Sequence, residues 1–273
     1  MDGPVVDSEV MTSRHRSGWP RRVALLAMAW AAGCATEPMT GRKQFLVTGA
    51  SQEVALGLSA FETLKKETPL SKDATQRALL EKVGRRIAAV SGMTGAQWEF
   101  VLFESPQANA FCLPGGKVGV YTGILPVTRD EAGLATVIGH EVAHALARHG
   151  GERMSVAKGL ELAGILGGQA MSQSEYGPYF QQLYAPVSQV AVALPHSRAQ
   201  ESSADEIGLV LMARAGYDPA AAVGFWERFA AHNRSSGNQT PWFLRTHPLD
   251  QQRIARIQQL LPKAKAEFRP PAP

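Results

Sequence analysis

The chain has 273 residues, of which 45% are hydrophobic and 19% are charged, and it carries a formal net charge of +4. This length suits one large domain or two small ones, and we favour one; the composition excludes wholesale disorder and several membrane spans. Because the charge is mild and no cluster of Lys and Arg is interleaved with aromatic residues, we expect no nucleic-acid partner.

Residues 1–33 have the layout of a secretion signal. Arginines precede the apolar run VALLAMAWAAG, which is too short for a transmembrane helix, and Cys34 follows it. Small residues stand directly before Cys34, as in a bacterial lipobox. We therefore expect cleavage before Cys34, acylation of its thiol, and a chain tethered to a membrane outside the cytoplasm. Two alternatives stay open: the apolar helix is retained, or the true start is Met11 rather than Met1.

Beyond the signal, turn residues without a helical period predict a surface linker over 34–48. The folded domain is predicted over 49–262, and a disordered tail over 263–273. Within the domain, periodicity and turn signals predict, in chain order, helices near 51–67 and 73–91, a strand at 98–104, and two extended segments in 109–123 around Pro114-Gly115-Gly116.

The next predicted helix contains the sequence VIGHEVAHALARHG. Asp130 is its expected N-cap, and Gly150-Gly151 is its expected end. Two more helices are predicted, from about Ser197 to Ala215 and from Pro219 to about His232, separated by GYDP.

The HEVAH motif has the spacing of a metal site. His140 and His144 lie four residues apart, so on a helix both imidazoles project from nearly the same face and can hold one metal ion. Glu141 lies one residue further around the helix. This offset keeps its carboxylate off the metal but within reach of a metal-bound water, for which it can act as general base.

A catalytic zinc needs a third protein ligand. The pattern HExxHxxGxxH would supply a histidine, but Ala147 and Gly150 stand at its glycine and last histidine positions, which excludes that class. His149 lies about 140° from His144 around a continuous helix, so we expect it on the surface. We also expect His196 and His232 on the surface.

Glu201 is the candidate for the third ligand, and Asp205 is a candidate to support a zinc histidine. They are one turn apart on a predicted helix, so Glu201 can complete the zinc shell while Asp205 accepts the free ring N–H of a zinc histidine. By spacing alone this signal is weak, because acidic pairs on helices are usually solvated faces.

With the acidic motif included, the sequence resembles the M48 family of metallopeptidases, whose branches include mitochondrial inner-membrane proteases of the Oma1 type and bacterial periplasmic lipoproteins. HEVAH is followed by ExxxD, as in that family. The other similar stretches are NAFCLPGG from Asn109, MARAGYDP, THPLDQQRI and the N-terminal CATEPMTGRKQFLV. Together they cover about 34–261.

The resemblance implies a mostly helical α+β domain with a zincin-like (gluzincin) fold, in which a small β-sheet lies beside the HExxH helix. It implies one Zn²⁺ held by His140, His144 and Glu201, with Glu141 as general base. The extended segment Asn109, Ala110 and Phe111 is expected to pair with substrate backbone. His247 has three interpretations: an oxyanion donor, a ligand that latches the resting site, or a structural residue. Arg253 is expected to form an ion pair on a helix face.

The implied function is a zinc endopeptidase that cleaves unfolded or misassembled cell-envelope proteins. Because Ala35 rather than Asp follows Cys34, we expect a lipid anchor on the periplasmic side of a bacterial outer membrane. The alternative is a latched or weakly active chaperone or assembly factor with the same fold. An integral-membrane processing protease is excluded, because no apolar run of roughly 18 residues follows Cys34. The oligomeric state stays open.

Overall fold

A computed structural model gives the structure of residues 34–167, 196–235, 242–247 and 252–270, with the backbone alone at 159–167, 235 and 242. The predicted signal segment 1–33 lies outside the described residues. Within them, no helix is both long enough and apolar enough to cross a membrane.

Short strands form two groups in the chain order, one before the first two helices and one after them, and the elements that follow are helical. The strands are β1 (Cys34–Thr36), β2 (Lys43–Phe45), β3 (Glu99–Phe103), β4 (Ala110–Leu113) and β5 (Lys117–Tyr121). The helices are α1 (Ala50–Glu67), α2 (Ala74–Val90), α3 (Leu125–Thr128), α4 (Glu131–Leu146), α5 (His149–Gly167), α6 (Arg198–Arg214), α7 (Ala221–Ser235), α8 (Trp242–Thr246) and α9 (Arg253–Ala266). The predicted helices α1, α2, α6 and α7 and the predicted strands β3, β4 and β5 are confirmed to within a few residues, and α4 is confirmed except at its end. The helices α3 and α5 have no counterpart among the predicted elements.

The main sheet has the order β3-β5-β4, in which β5 pairs in parallel with β3 and antiparallel with β4. The reversal between β4 and β5 uses Gly115 and Gly116, whose φ angles of +91° and +84° lie in the region that favours glycine. β4 packs against α4 and forms an edge of the sheet. The predicted class, mostly helical α+β with a small sheet beside the HExxH helix, is confirmed.

The central helix α4 is buried along most of its length because its residues are small or apolar. Asp130 caps it as predicted, since its side chain accepts a hydrogen bond of 2.8 Å from the backbone N–H of Gly133. α4 crosses α6 at two glycines. A Cβ on Gly139 would lie 3.0 Å from the carbonyl oxygen of Gly208, so the absence of side chains lets the two helices approach closely.

Three local predictions are wrong. α4 ends at Leu146, not at Gly150-Gly151, because Arg148 takes a φ of +56° and a new helix starts at His149. The predicted linker 34–48 contains the paired strands β1 and β2. The predicted tail is helical over 263–266, where Ala264 is only 1% exposed and packs into the core.

Candidate metal centre

Two histidines of α4 and one carboxylate of α6 meet in the interior. The Nε2 atoms of His140 and His144 are 3.1 Å apart. Glu201, in the first turn of α6, places Oε1 3.4 Å from Nε2 of His144 and Oε2 3.5 Å from Nε2 of His140. Each of the three residues is at most 5% exposed. The structure therefore brings together the three side chains predicted as metal ligands.

His247, which follows α8, adds a fourth donor. Its Nδ1 lies 3.2 Å from Nε2 of His140 and 2.9 Å from Oε1 of Glu201. The donor atoms of the four side chains all lie within 4.8 Å of one another. In a tetrahedral zinc site with bonds of about 2.0–2.1 Å, neighbouring donor atoms are about 3.3 Å apart. The donor set and its spacing therefore fit one zinc ion.

Glu141 lies beside this donor cluster. Its Oε1 is 3.4 Å from Nε2 of His247 and makes no hydrogen bond within the part of the chain that the structure describes. Burial is the main cause that raises the pKa of Glu141 above that of an ordinary carboxyl group. A buried carboxylate with a raised pKa and an oxygen still able to accept a proton is suited to general base chemistry.

Asp205 supports His140 from behind. Its Oδ1 lies 3.1 Å from Nδ1 of His140, so the carboxylate is placed to accept the ring N–H and leave Nε2 facing the donor cluster. Burial opposes a charge on Asp205, but the positive charge of Arg253 and the hydrogen bonds from His140 and Arg253 together outweigh it and lower the pKa of Asp205.

Arg253 is the cation between the two carboxylates of α6. Its Nη2 lies 2.7 Å from Oδ1 of Asp205, and its Nη1 lies 2.8 Å from Oε2 of Glu201. The guanidinium carbon lies 3.6 Å from the centre of the Trp226 ring, which adds a cation–π contact. The predicted ion pair is therefore present, but Arg253 is 0% exposed, so it lies inside the protein and not on a helix surface.

His149 is buried, so its predicted surface position is wrong. It is 0% exposed, its Nδ1 lies 2.8 Å from Nδ1 of His144, and its Nε2 lies 2.8 Å from Oε1 of Glu37. The prediction assumes that α4 continues through residue 149. Because the helix ends at Leu146 and the backbone turns at Arg148, the ring points back toward the metal site.

His196 is also buried, which contradicts its predicted surface position. Its ring centre lies 3.8 Å from that of His144 and 4.9 Å from that of His247. Its backbone N–H donates to the carbonyl oxygen of Thr246 at 2.9 Å, which places the ring over the site. No spacing signal in the sequence marks this position. His232 is exposed, as predicted.

The predicted substrate segment lines the cleft at the metal site. Asn109, Ala110 and Phe111 border the same pocket as Glu141 and His144. Among the described strands, β4 pairs with β5 alone, and its residues Ala110 to Leu113 line this pocket. The pocket thus combines a strand edge with the donor cluster.

The fold and the grouped side chains are those of a metallopeptidase of the HExxH type. The sequence model of the family described as Peptidase family M48 matches residues 74–261. The chain belongs to this family of zinc-dependent metallopeptidases, and several of the relatives it matches are named metalloendopeptidases.

The chain is similar to proteins of eukaryotes and bacteria. It is 34% identical over 233 residues to "Mitochondrial metalloendopeptidase OMA1" of Schizosaccharomyces pombe, which covers 84% of this chain and 67% of that relative. It is 29% identical over 239 residues to "Metalloendopeptidase OMA1, mitochondrial" of Homo sapiens, covering 83% of this chain and 46% of the relative. It is 26% identical over 222 residues to "Beta-barrel assembly-enhancing protease" of Yersinia pestis, covering 80% and 46%. The chain thus spans about half to two thirds of these relatives.

These relatives overturn the predicted location on the periplasmic side of a bacterial outer membrane. The matched proteases of fungi, plant and animals carry mitochondrial names at 29–34% identity. The bacterial relatives are more distant, at 26%. The predicted location rests on the residues beside Cys34, which lie outside the part of the chain that the family model matches.

Proposed function

We propose that this chain is an endopeptidase of unfolded or misassembled polypeptides, in which His140, His144 and Glu201 hold the zinc ion. The observation that carries the proposal is the convergence of these three buried side chains beside Oε1 of Glu141, which accepts no hydrogen bond from the described residues. The restriction to cell-envelope substrates depends on the outer-membrane location, so it is not part of the proposal.

When bound, zinc supplies a Lewis acid that polarises the peptide carbonyl and lowers the pKa of water in the site toward 7. Glu141 takes a proton from the attacking water on its Oε1, holds it, and delivers it to the leaving amine. Asp205 keeps Nδ1 of His140 protonated, so that Nε2 is free to bind the metal. Arg253 holds Asp205 in place.

β4, whose outer edge has no partner strand in the described part of the chain, is the proposed docking strand for substrate. An extended peptide can pair with this edge through backbone hydrogen bonds, which give affinity with little dependence on side chains. Only a segment without stable structure of its own can adopt this extended form. Asn109, Ala110 and Phe111 lie at the start of the strand, next to Glu141, so docking there would bring a peptide bond to the site.

The proposal is tested by incubating the zinc-loaded chain with casein, an unfolded protein, beside the Glu141→Gln variant. We expect the parent to cleave casein at internal bonds and the variant to be slower by about 10²–10⁴-fold, since it lacks the proton acceptor. Both should bind one zinc ion, because Glu141 is not a ligand. Equal cleavage by both would show that Glu141 is not the base.

A second candidate function rests on His247. Its Nδ1 lies at ligand distance from the other donors, so it can close the fourth metal position and keep the site latched, as in a chaperone or assembly factor. His247→Ala separates the alternatives. A latch predicts faster casein cleavage by the variant, whereas an oxyanion donor predicts cleavage slower by about 10²–10³-fold. A purely structural residue predicts lower stability with cleavage that follows the folded fraction.

The membrane anchor and the domain limits are part of the proposal. Cys34 has a free, exposed thiol at the start of β1, which supports acylation at this position. The mass of the mature N-terminal peptide tests it: a lipid adduct on Cys34 is expected, and an unmodified thiol would contradict it. Since β1, β2 and the last turn of α9 are ordered, we propose a folded unit of 34–266 in place of 49–262.

A further inference from the structure

The N-terminal ribbon, defined as residues 34–45 with β1 and β2, reaches into the protein at Glu37. This residue follows β1 and is 2% exposed, although the sequence predicts a surface linker here. Its Oε1 lies 2.8 Å from Nε2 of His149, which is itself 0% exposed. A buried carboxylate and a buried imidazole are therefore in direct hydrogen-bond contact, more than 100 residues apart in sequence.

The contact continues from His149 to a proposed metal ligand. Nδ1 of His149 lies 2.8 Å from Nδ1 of His144. Because the carboxylate of Glu37 can only accept, Nε2 of His149 must donate to it, and in a neutral ring Nδ1 is then an acceptor. This acceptor takes the Nδ1–H of His144. The remaining nitrogen of His144, Nε2, keeps its lone pair and points into the donor cluster, as metal binding requires.

The surroundings of Glu37 hold the carboxylate in this orientation. Arg42 donates to Oε1 at 2.6 Å, and the hydroxyl groups of Thr40 and Ser203 donate to Oε2. Arg42 also binds Glu152 of α5 at 3.0 Å. Since Ser203 lies on α6, the ribbon is tied to α5, which starts at His149, and to α6, which carries Glu201. The position of Glu37 is thus built by the fold and is not the result of a single contact.

We propose that Glu37 is a positioning residue of the zinc centre, which acts through His149 to fix the tautomer and the orientation of His144. This inference rests on the zinc site of the proposed function. It gives each zinc histidine a supporting carboxylate: Asp205 touches His140 directly, and Glu37 reaches His144 through one intervening imidazole. Glu37 lies outside residues 74–261, the part that the family model matches.

The test is zinc affinity, measured on the full chain by competition with a chromophoric chelator. Supporting groups behind metal ligands typically change metal affinity by about 10–100-fold, and we expect this loss for Glu37→Gln and for His149→Phe. The visible spectrum of the cobalt(II)-substituted protein should also change in both variants, because the orientation of His144 changes. Neither readout depends on peptidase activity.

Glu53→Gln is the matched control. Glu53 is 2% exposed, like Glu37, and it accepts a hydrogen bond of 2.7 Å from Arg148, directly before His149. It stabilises the same junction between α4 and α5, but within the described part of the chain its carboxylate makes no hydrogen bond to the ring of His149 or His144. We expect Glu53→Gln to lower the melting temperature while zinc affinity and the cobalt spectrum stay unchanged.

Two further variants test the route itself. If Glu37 acts through His149, the double variant Glu37→Gln/His149→Phe should bind zinc no more weakly than His149→Phe alone. His149→Gln should bind zinc more tightly than His149→Phe, because the amide can accept from His144 and donate to Glu37. This comparison also serves if Glu37→Gln fails to fold. Any one of three results would overturn the inference. Glu37→Gln could keep the parental zinc affinity, the double variant could show additive losses of affinity, or His149→Gln and His149→Phe could lose affinity equally.

The outcomes separate this inference from the proposed function. A parent that binds zinc but leaves casein intact would contradict the proposed peptidase activity, and the affinity series would still decide the role of Glu37. Conversely, a parent and a Glu37→Gln variant with the same zinc affinity and the same cobalt spectrum would remove the positioning role while the peptidase proposal stands.

Discussion

The two zinc histidines are supported by different parts of the chain. His140 has an inner support, formed by Asp205 and Arg253, which come from α6 and α9 in the core. His144 has a ribbon support, formed by His149 and Glu37, which come from the start of α5 and from the N-terminal ribbon. Both supports contain a buried carboxylate. Asp205 contacts its zinc histidine directly, whereas Glu37 contacts His144 only through His149, and the two supports also differ in how far the sequence predicts them.

The difference shows what limits a prediction from helix spacing. Asp205 lies one turn after Glu201 on a continuous helix, so spacing alone places both carboxylates on one face of that helix. His149 lies beyond a break that the sequence does not reveal. A single left-handed residue, Arg148, converts a predicted surface histidine into a buried neighbour of His144. Periodicity is a reliable guide only as far as the helix continues.

The largest expected effect on stability comes from replacing the arginine of each support, Arg253 in the inner support and Arg42 in the ribbon support. Arg253 is 0% exposed, whereas the side chain of Arg42 in the ribbon is 21% exposed. Breaking a buried ion pair leaves uncompensated charge and costs about 3–5 kcal/mol, which we expect for Arg253→Met. For Arg42→Met we expect about 1.5–3 kcal/mol, the value of hydrogen bonds to charged groups. Urea unfolding of the metal-free chains measures both, and a larger loss at Arg42 would reverse the ranking of the two supports.

The second prediction concerns the pH dependence of the ribbon support. Burial opposes a charge on Glu37, but hydrogen bonds led by that from His149 lower its pKa from 4.5 to about 2. A depressed carboxyl pKa contributes stability that is present above the unfolded pKa and lost as pH falls through the folded one. This pKa shift corresponds to a contribution of about 3 kcal/mol to the free energy of unfolding at neutral pH.

Glu37→Gln tests this dependence because it cannot titrate. The difference in unfolding free energy between parent and variant should be largest above pH 5 and should shrink as pH falls from about 4.5 to about 2. Denaturant unfolding of the metal-free proteins across this range gives the difference directly. A difference that stays constant with pH would mean that the charge of Glu37 does not contribute to stability.

The fold class, the three predicted ligands and Asp205 could be predicted from the sequence, because each depends on local spacing or on a linear motif. The ribbon could not, since its order comes from contacts with distant partners: Glu37 with Ser203, and Arg42 with Glu152. The segment itself has turn residues and no period. The sequence shows Glu37 without revealing which residues it contacts. Its role can be inferred only from the three-dimensional structure, which brings its distant partners together.

The third prediction tests how closely the inner support depends on helix packing. A Cβ on Gly208 of α6 would lie 3.0 Å from the backbone nitrogen of His140 and 3.1 Å from its Cα. Overpacking of this kind costs about 1–3 kcal/mol, and Gly208→Ala should also weaken zinc binding because α4 and α6 carry the ligands. Gly224→Ala is the control, since among the described residues its Cβ would approach the guanidinium of Arg228, at 3.2 Å, and no backbone atom. Equal zinc affinity in both variants would show that the crossing tolerates the displacement.

The smallest expected effect is on the stability of the first turn of α5. It tests whether this turn can be changed without affecting the ribbon support. A Cβ on Gly150 would meet no atom of the described residues within 4 Å, so Gly150→Ala should stabilise the helix, by up to about 0.5–1 kcal/mol. At the next residue, Gly151, a Cβ would lie 2.2 Å from Oε1 of Glu53, so Gly151→Ala should be destabilising. Thermal unfolding gives both signs. Zinc affinity should be unchanged in Gly150→Ala, because His149 keeps its backbone position; a loss of affinity there would mean that the ribbon support depends on flexibility at this turn.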